Sequence, residues 1–317
     1  MRKARAHSEE KHRVHGRVGK IGRKKRAGDL RIGISGWRYA GWRGKFYPKN
    51  LPQRCELEFA SGAFNSIEIN GSFYSLQRPS SYQRWYDQTP TDFIFSVKGG
   101  RFITHMKRLR DVEIPLANFF ASGILCLREK LGPILWQFPP RLRWNEEKFR
   151  SFFELLPGDT RAAARLAKHH NKKLKGRAWT KTDRPRALRY AVEIRHGSFL
   201  VPEFFSLLRK HKVAFVFADA ATKWPYAEDI TADFIYCRLH GGEELYSSGY
   251  TESAIKKWAG RIRKWRIGKQ PRHAHLITSR KKTRPARRDV FVYFDNDAKV
   301  HAPFNAKALA QRLGLDN

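Results

Sequence analysis

Short runs rich in β-branched and aromatic residues recur eight times along the chain, and most are separated by stretches with apolar residues at helical spacing. The runs predict eight β-strands: RIGISGW from Arg31, SIEING from Ser66, FIFSVKG from Phe93, PILWQF from Pro133, RYAVEIR from Arg189, VAFVFAD from Val213, FIYCRLHG from Phe234 and DVFVYFDND from Asp289. The segments that predict helices are CELEFASGAF, ANFFASGILCLREKLG, NEEKFRSFFELLP, VPEFFSLLRKHK, ESAIKKWAGRIRKW and FNAKALAQRLG. Such alternation requires parallel strands joined by helical crossovers.

Eight repeats of a strand and a helix close most naturally into a barrel, so the sequence predicts an α/β protein with a (β/α)8 TIM-barrel fold. An open doubly wound sheet is the structural alternative. Such a sheet usually begins with a Gly-x-Gly-x-x-Gly turn, and GISGW lacks that spacing. Because barrels of roughly 250 residues form one domain, we expect a single barrel over 29–317.

The formal net charge of +35 is concentrated in three segments. Residues 1–28 carry 11 basic and 2 acidic side chains with little apolar content, so they are predicted to be a disordered basic tail. The ranges of about 159–189 and 261–288 carry net charges of +9 and +12 and are interpreted as basic insertions. Each precedes a strand, and in an α/β barrel such connections lie at the amino-terminal face, away from the usual site.

The chain has three cysteines, Cys55, Cys126 and Cys237, and no Cys-x-x-Cys pair. This pattern argues against a zinc ribbon and a disulfide framework, and the apolar surroundings of Cys126 and Cys237 predict buried thiols. No apolar run approaches the ~18 residues of a membrane span. The first 26 residues lack the apolar core of a secretory signal. These features favour a soluble, cytoplasmic protein in a reducing compartment, with no membrane partner.

Side chains of a strand alternate between two faces, and the outer face of a barrel strand must be apolar because it packs on helices. In SIEING, Ile67 and Ile69 share one face, so Glu68 and Asn70 are predicted to point inward. The same rule gives further inward pairs near other strand ends: Ser35 with Trp37, Ser96 with Lys98, Glu193 with Arg195, Arg238 with His240, and Tyr293 with Asp295.

Five strands therefore bring ionisable groups inward near their carboxyl ends. Buried charges cost free energy unless they are hydrogen-bonded or paired, and pairing of Glu193 with Arg195 would satisfy part of the cluster as pure structure. Polar strand ends at this face of a barrel are usually functional. The pattern locates a site and leaves its reaction open.

Seven segments resemble the signature blocks of the YecE-like family, known as domain of unknown function 72. In chain order they are IGISGWRYAGWRGKFYP, FNSIEINGSFYSLQRPSSYQRW, FSVKGGRFITHMKRL, LGPILWQFPP, VEIRHGSF, DFIYCRLHG and VYFDNDAKVHAPFNA. The resemblance covers nearly everything from Arg31 to Gly314 and implies a TIM-type barrel. It also implies a likeness in shape to sugar isomerases and to the zinc-dependent endonuclease that cuts at abasic sites. The family lacks an established activity, so the chemistry stays open.

The first functional interpretation is an enzyme, of hydrolase or isomerase type, that acts on a phosphorylated, sugar-containing or nucleotide substrate. Four carboxylates could supply the general acid and base if their surroundings separate their pKa values: Glu68, Glu193, Asp219 and Asp295. Four cations could hold an anion, the arginines through two-pronged contacts: Lys98, Arg101, Arg195 and Arg238. Further predicted substrate contacts are the amides Asn70, Gln137 and Asn296 and the aromatic residues Trp37, Tyr74 and Tyr250, with Trp136 and Tyr246 as additional flat surfaces.

Three histidines, His105, His196 and His240, are predicted just past strand ends, where each could line the site. With the carboxylates, His196 and His240 could also bind a divalent metal. No His-Glu-x-x-His spacing is present, so the sequence leaves the cofactor open.

The second interpretation belongs to another class, a nucleic-acid-binding protein without catalysis. The basic tail and the two basic insertions would then collect phosphate groups with a strong dependence on salt. Solvated, flexible surface is the simpler explanation of those charges. Removing the tail and neutralising the insertions would separate the two interpretations.

Overall fold

Eight parallel strands form a closed barrel in the order of the chain, with β8 hydrogen-bonded to β1. The computed structural model describes residues 27–279 and 286–315. The strands are β1 (Leu30–Ser35), β2 (Ser66–Ile69), β3 (Ile94–Lys98), β4 (Leu131–Gln137), β5 (Tyr190–Glu193), β6 (Ala214–Asp219), β7 (Phe234–Leu239) and β8 (Asp289–Phe294). The (β/α)8 prediction and all eight predicted strands are confirmed.

Helices surround the barrel and connect most of its strands. They are α1 (Glu56–Ala63), α2 (Gly71–Tyr74), α3 (Pro79–Asp87), α4 (Glu113–Ala121), α5 (Glu146–Glu154), α6 (Thr160–Ala167), α7 (Pro202–Lys210), α8 (Glu252–Arg266) and α9 (His301–Arg312). The sequence pattern missed α2, α3 and α6. Residues 220–233, between β6 and β7, contain turns and extended chain and no helix. No helix in 27–279 or 286–315 is both long and apolar enough to cross a membrane.

Two apolar clusters lie on opposite sides of the strands. Ile67 and Ile69 are fully buried in the large cluster between strands and helices, as the alternation of faces predicted. The lumen contains a smaller cluster of inward side chains: Leu135, Ala191, Ala214, Val216, Ala218, Phe234, Tyr236, Phe291 and Tyr293. The hydroxyl of Tyr236 donates to Glu68 at 2.5 Å, which joins this filled lumen to the charged groups near the strand ends.

The predicted basic insertion 159–189 contains a folded element. Asp159 caps α6 by accepting a hydrogen bond from the backbone amide of Ala162 at 2.7 Å, and an acceptor at this position satisfies an otherwise unpaired amide. Ala163 and Ala167 are buried. After α6, the ammonium of Lys173 lies 5.3 Å from the ring of Phe102, just past the carboxyl end of β3. This part of the insertion therefore does not stay at the amino-terminal face, which corrects the expected placement.

The second predicted insertion, 261–288, begins inside α8, where Ile262 and Trp265 are buried. Beyond the helix, Asp229 accepts hydrogen bonds from the backbone amides of Ile277 and Thr278 at 2.7 and 3.0 Å. These contacts fix the chain as far as residue 279, and residues 280–285 lie outside the described residues.

Most of the predicted basic tail, residues 1–26, also lies outside the described residues. Gly28 exchanges hydrogen bonds with Arg266 at the end of α8. The described chain therefore begins with a contact to α8. Cys126 and Cys237 are buried free thiols, as predicted, and Cys55 is half-buried.

Candidate functional site

A cavity of about 520 Å³ opens at the carboxyl ends of the strands, the face at which barrel enzymes place their active sites. Its lining combines cations, carboxylates, amides and aromatic rings: Tyr39, Asn70, Phe73, Tyr74, Lys98, Arg101, His105, Gln137, Arg195, Tyr246, Asp295 and Asp297. We call this cavity the mouth pocket.

Beneath the mouth pocket lies a buried cluster of charges, here called the ionic floor, formed by Glu68, Glu193, Arg238, His240 and Asp295. Arg238 is its centre and is fully buried. Its guanidinium donates from Nε to Glu68 at 3.2 Å, from Nη1 to Glu193 at 2.7 Å and from Nη2 to Asp295 at 2.8 Å. The expected gathering of inward charges is therefore observed, with one arginine joining three strands' carboxylates.

Two carboxylates of the ionic floor, Glu193 and Asp295, are held ionised. Burial alone would raise the pKa of Asp295, but Arg238 and the neighbouring His240 and Lys98 lower it well below its usual range. Burial also raises the pKa of Glu193. The charges of Arg238 and Arg195 outweigh burial and hold the pKa of this carboxyl well below its usual range. Because opposite charges at this distance favour the charged forms, the ionic floor is electrostatically satisfied from within.

Because Arg238 is already paired with carboxylates, its predicted role as an anion ligand is wrong. All three of its guanidinium nitrogens already donate to side chains, and Nη2 also reaches Ser35 at 3.0 Å and Glu68 at 2.9 Å. An incoming phosphate would have to displace these bonds and leave carboxylates buried without a partner. Arg238 therefore organises the site from below.

His240 is also part of the ionic floor and not of the pocket lining. It is fully buried, with Nδ1 3.0 Å from Asp295 and Nε2 3.7 Å from Glu193. Neither contact has the alignment of a hydrogen bond. Tyr246 lies across its ring at 5.4 Å and separates it from the pocket. The predicted contact of His240 with substrate does not fit this placement.

Lys98 projects into the mouth pocket from the end of β3, and its side chain is 8% exposed. Its ammonium lies 4.4 Å from the ring centre of Phe73, and among the described residues it has no ion pair or side-chain hydrogen bond. Burial and the positive charge of Arg238 lower the pKa of Lys98 to about 8. A buried amine without a counter-ion is unusual, because lysine is rarely buried unless it is paired.

Arg101 and His105 follow Lys98 along the same wall. Arg101 is exposed, and within 27–279 and 286–315 its guanidinium has no carboxylate partner. His105 belongs to the π-helix Phe102–Met106, and its Nδ1 lies 2.8 Å from the hydroxyl of Thr104. Burial, followed by the charges of Lys98 and Arg195, lowers the pKa of His105 to about 4. This imidazole is therefore neutral at physiological pH.

Arg195 follows β5 at the edge of the pocket and has three contacts. Its Nε donates to Glu193 at 3.1 Å, its Nη2 donates to the hydroxyl of Tyr246 at 2.9 Å, and its guanidinium lies 4.6 Å from the ring of Trp224. The predicted pairing of Glu193 with Arg195 is thus observed. These contacts fix the guanidinium at the edge of the pocket.

Asp297 lies in the pocket lining and was not among the predicted site residues. Burial, with the charge of Asp295 two residues earlier, raises the pKa of Asp297 to about 6. The two carboxyl groups thus differ strongly in proton affinity, as an acid and a fixed anion must. Alternation of faces could not place it, since β8 ends at Phe294 and Asp297 lies in the turn that follows.

Tyr39 is a second lining residue that sequence reasoning missed. Its hydroxyl donates to the backbone carbonyl of Ser35 at 2.5 Å, and it packs on Trp42 at 4.7 Å between ring centres. Burial, with Asp297 and Asp295 nearby, raises the pKa of Tyr39 well above its usual range. Its position depends on the short 3₁₀ helix Ala40–Trp42 after β1, for which the sequence pattern gave no signal.

Two predicted site residues point away from the mouth pocket. Trp37 packs edge-on against Trp85 at 5.2 Å in the outer core. The reason is Gly36, whose φ of 84° ends the extended geometry of β1 before Trp37, so alternation no longer applies. Asp219 faces outward from β6 and accepts a hydrogen bond from Trp258 of α8 at 3.2 Å. Both predictions are corrected.

Three further predicted residues serve the loops and not the pocket lining. His196 caps the turn Gly197–Phe199, accepting from the amide of Ser198 at 3.1 Å. Tyr250 packs on Phe294, with its hydroxyl at the amide of Gly241. Asn296 is buried and donates to Ser248 and Asn305, both at 2.9 Å.

The other predicted contacts lie on the mouth pocket or beside it. Asn70, Tyr74 and Gln137 are part of the lining, and the ring of Tyr74 is 69% exposed at the rim. Tyr246 also lines the pocket. Trp136 lies on the outer face of β4 against Phe119 and Phe152, so it offers no surface to a ligand.

The arrangement does not fit a divalent metal, a possibility that the sequence left open. Within 27–279 and 286–315, no three His, Cys, Asp or Glu side chains are arranged as metal ligands. Asp219 and His196 lie elsewhere, and the carboxylates of the ionic floor already bind Arg238.

Comparison with known proteins places this barrel among relatives. The family model described as Protein of unknown function DUF72 matches residues 31–317. The chain is 31% identical to the UPF0759 protein YunF of Bacillus subtilis (strain 168) over 117 residues, which cover 34% of this chain and 39% of that protein. It is 31% identical to the UPF0759 protein YecE of Escherichia coli (strain K12) over 104 residues, covering 32% and 38%. Each match spans less than half of the relative's own length.

Solved structures share the fold. A DUF72 family protein from Thermotoga maritima MSB8 superposes with a TM-score of 0.68 at 24% identity, covering 90% of this chain and 99% of that one. A DUF72 family protein from Enterococcus faecalis V583 gives a TM-score of 0.64 at 15% identity, covering 91% and 96%. Because the family model spans nearly all of the sequence after the basic tail, the chain belongs to the DUF72 family.

Proposed function

We propose that this protein is an enzyme that binds a small anionic substrate, such as a phosphorylated sugar or a nucleotide, in the mouth pocket and transforms it by acid/base chemistry. One observation carries the proposal. Lys98 and Arg101 face the pocket without a carboxylate partner among the described residues, although the carboxylates of the ionic floor directly below are paired with Arg238. Unpaired cations at the mouth of a barrel are the arrangement that an anionic ligand completes.

The shape and lining support a ligand of this size. A cavity of about 520 Å³ lies within the range of small-molecule sites. Arg101 follows β3 and Arg195 follows β5, so the two guanidinium groups can contact an anion from different sides. The planar guanidinium also matches the geometry of phosphate. The rings of Phe73 and Tyr246 offer flat surfaces against which a sugar or base can pack.

Proton transfer falls to Asp297 in this proposal. With a pKa raised to about 6 by burial and by Asp295, Asp297 can both give and take a proton near neutral pH. Asp295 stays ionised and opposes any positive charge that develops on the substrate. His105, neutral because burial and nearby cations lower its pKa to about 4, can hydrogen-bond a substrate oxygen without adding charge.

The test is ligand binding by isothermal titration calorimetry, first with inorganic phosphate and then with sugar phosphates and nucleotides. Arg101→Gln is expected to weaken binding by about tenfold or more, the value of a lost charge-assisted contact. Arg161→Gln is the matched control, because Arg161 is exposed on α6. Equal affinities of the two variants, or no binding by any anion, would remove the basis of the proposal.

A second candidate is binding of nucleic acid through basic surface. Lys168, Lys172, Lys173 and Lys175 are exposed in one stretch after α6. Lys173 lies over the exposed ring of Phe102, adjacent to Arg101 of the pocket lining. Alternating cations and aromatic rings favour single-stranded nucleic acid. This candidate predicts affinity that falls steeply with salt and does not depend on Arg101 alone.

A further inference from the structure

We propose that the amine of Lys98 is a nucleophile that attacks the carbonyl carbon of an anionic aldehyde or ketone and holds it as an imine. The inference rests on the proposed function, since it narrows the substrate of the same pocket to a carbonyl compound. It goes beyond anion binding by assigning a covalent step to one residue.

The first support is the isolation of the amine. Lys98 is only 8% exposed, and a charged ammonium at such a depth normally requires a counter-ion. The carboxylates closest in the barrel, Glu68, Glu193 and Asp295, are all bonded to Arg238. Among the described residues the Lys98 amine has no ion pair, and it lies 4.4 Å from the ring centre of Phe73. Burial and the charge of Arg238 outweigh Asp295, Glu68 and Glu193, which favour the charged amine from a distance, so the pKa of Lys98 is lowered.

The second support is the charge of Arg238, which is fixed. A guanidinium cannot be deprotonated in a protein, so its repulsion of a second cation persists at every physiological pH. Together with burial it lowers the pKa of Lys98 to about 8. A substantial share of the amine is then neutral near pH 8, and the neutral form has the lone pair that attacks a carbonyl.

The third support is the presence of the other groups that imine formation requires. Asp297 lines the same pocket with a pKa near 6 and can protonate the carbonyl oxygen. Arg101 and Arg195 lie at the edge, where they can hold the anionic end of a substrate whose carbonyl reaches Lys98. The substrate class is therefore a small aldehyde or ketone that also carries a phosphate or carboxylate group.

The step balances without an oxidant or a reductant. The lone pair of the Lys98 nitrogen forms the C–N bond while the carbonyl π pair moves to oxygen, which takes the proton of Asp297. The nitrogen returns one proton to Asp297, and that proton then follows the oxygen as it leaves as water. The products are a protonated imine, one water molecule and the ionised carboxylate of Asp297.

The experiment traps the imine by reduction. The full-length protein is incubated with dihydroxyacetone phosphate or pyruvate, treated with sodium borohydride, and examined by intact mass spectrometry and peptide mapping. We expect one stable adduct on Lys98, formed at least about tenfold faster than on the exposed Lys173 of the same molecules. Lys98→Met should abolish the specific adduct. Lys98→Arg keeps the positive charge and should also abolish it.

Binding of inorganic phosphate, which has no carbonyl, separates the two proposals. Phosphate binding with an adduct on Lys98 supports both. Phosphate binding with borohydride labelling spread over surface lysines overturns the imine and leaves anion binding intact. Neither phosphate binding nor a specific adduct overturns both. Because the adduct is mapped in the unsubstituted protein, the outcome does not depend on whether a Lys98 variant folds.

Discussion

The ionic floor and the mouth pocket above it both contain cations, but the cation of the floor is paired with carboxylates and two cations of the pocket are not. In the floor, Arg238 is bonded to Glu68, Glu193 and Asp295 within a fully buried cluster. In the pocket, Lys98 and Arg101 have no carboxylate partner among the described residues. A buried charge that is paired is stable in place, whereas one that is left unpaired lowers stability. The difference shows that pairing is a better guide than burial. A paired charge such as Arg238 supports the site, whereas an unpaired one such as Lys98 is a candidate to bind a ligand.

The largest effect is expected from removing the centre of the ionic floor. Arg238→Met should lower the free energy of unfolding by about 3–5 kcal/mol, because three buried carboxylates lose their partner. Lys98→Met should change it by less than about 1 kcal/mol or raise it, since no ion pair is broken and a buried cation disappears. Urea denaturation at pH 7 measures both. Similar losses in the two variants would erase the distinction between floor and pocket.

Asp295 of the ionic floor and Asp297 of the mouth pocket should affect the pH dependence of stability differently. The pKa of Asp295 is lowered in the folded protein, so its contribution to stability is present above the unfolded value and is lost as pH falls. The pKa of Asp297 is raised to about 6, so the folded state binds more protons there and stability declines as pH rises from about 4 to 6. The contributions of the two carboxyl groups to stability therefore change in opposite directions as pH rises.

Substitution by asparagine tests those signs. Asp295→Asn should destabilise the protein at pH 7 by about 2–4 kcal/mol, since it removes one anion from Arg238. Asp297→Asn should stabilise it by about 1–2 kcal/mol at pH 7, a figure reduced from the full linkage value because the side chain is partly exposed. Thermal melts from pH 4 to 8 provide the measurement. An Asp297→Asn variant that is less stable at pH 7 than at pH 4, relative to the original protein, contradicts the raised pKa.

Alternation of faces predicted the ionic floor correctly because each of its residues lies on, or just after, a regular strand. Ile67 and Ile69 had to face the helices, which left Glu68 for the lumen. The same rule would have rejected Asp219, since Ala218 faces the lumen. The prediction of Asp219 was wrong because the rule was not applied to β6.

Other predictions failed because the alternation of polar and apolar residues carries no information about the chain beyond a strand end. Trp37, His196 and Tyr250 follow strand ends, where a single positive φ or a turn redirects the chain, as Gly36 does before Trp37. Tyr39 lies between the turn at Gly36 and the 3₁₀ helix that follows β1, where no strand pattern applies. Whether a charge is paired depends on contacts among strands far apart in the sequence. The pairing of Arg238 and the isolation of Lys98 therefore required the fold.

A smaller effect is expected where the filled lumen meets the ionic floor. Tyr236→Phe removes a hydroxyl that donates to Glu68 at 2.5 Å and lies 2.6 Å from the hydroxyl of Ser96. Because one partner is a carboxylate, the loss should be about 1.5–3 kcal/mol. Tyr293→Phe is the matched control, since its hydroxyl contacts the neutral Ser66 at 2.7 Å, and should cost about 0.5–1.5 kcal/mol. A reversed order in urea denaturation would indicate that Glu68 does not depend on the lumen for support.

The smallest effect on the barrel is expected from removing residues 1–26, which keeps the contact of Gly28 with Arg266 at the end of α8. The melting temperature and the affinity for inorganic phosphate should stay the same, because every residue named in the ionic floor and in the lining of the mouth pocket lies after residue 26. The deletion removes 11 basic side chains, so binding of single-stranded DNA should weaken, and the slope of log affinity against log salt should become shallower. Fluorescence anisotropy at several salt concentrations measures that slope. If the slope is unchanged, the tail does not contact DNA. Any remaining affinity must then come from another basic surface, such as the lysines after α6 or the range 261–288, or from the mouth pocket itself. At constant ionic strength, inorganic phosphate is expected to compete with DNA only if DNA binds in the mouth pocket.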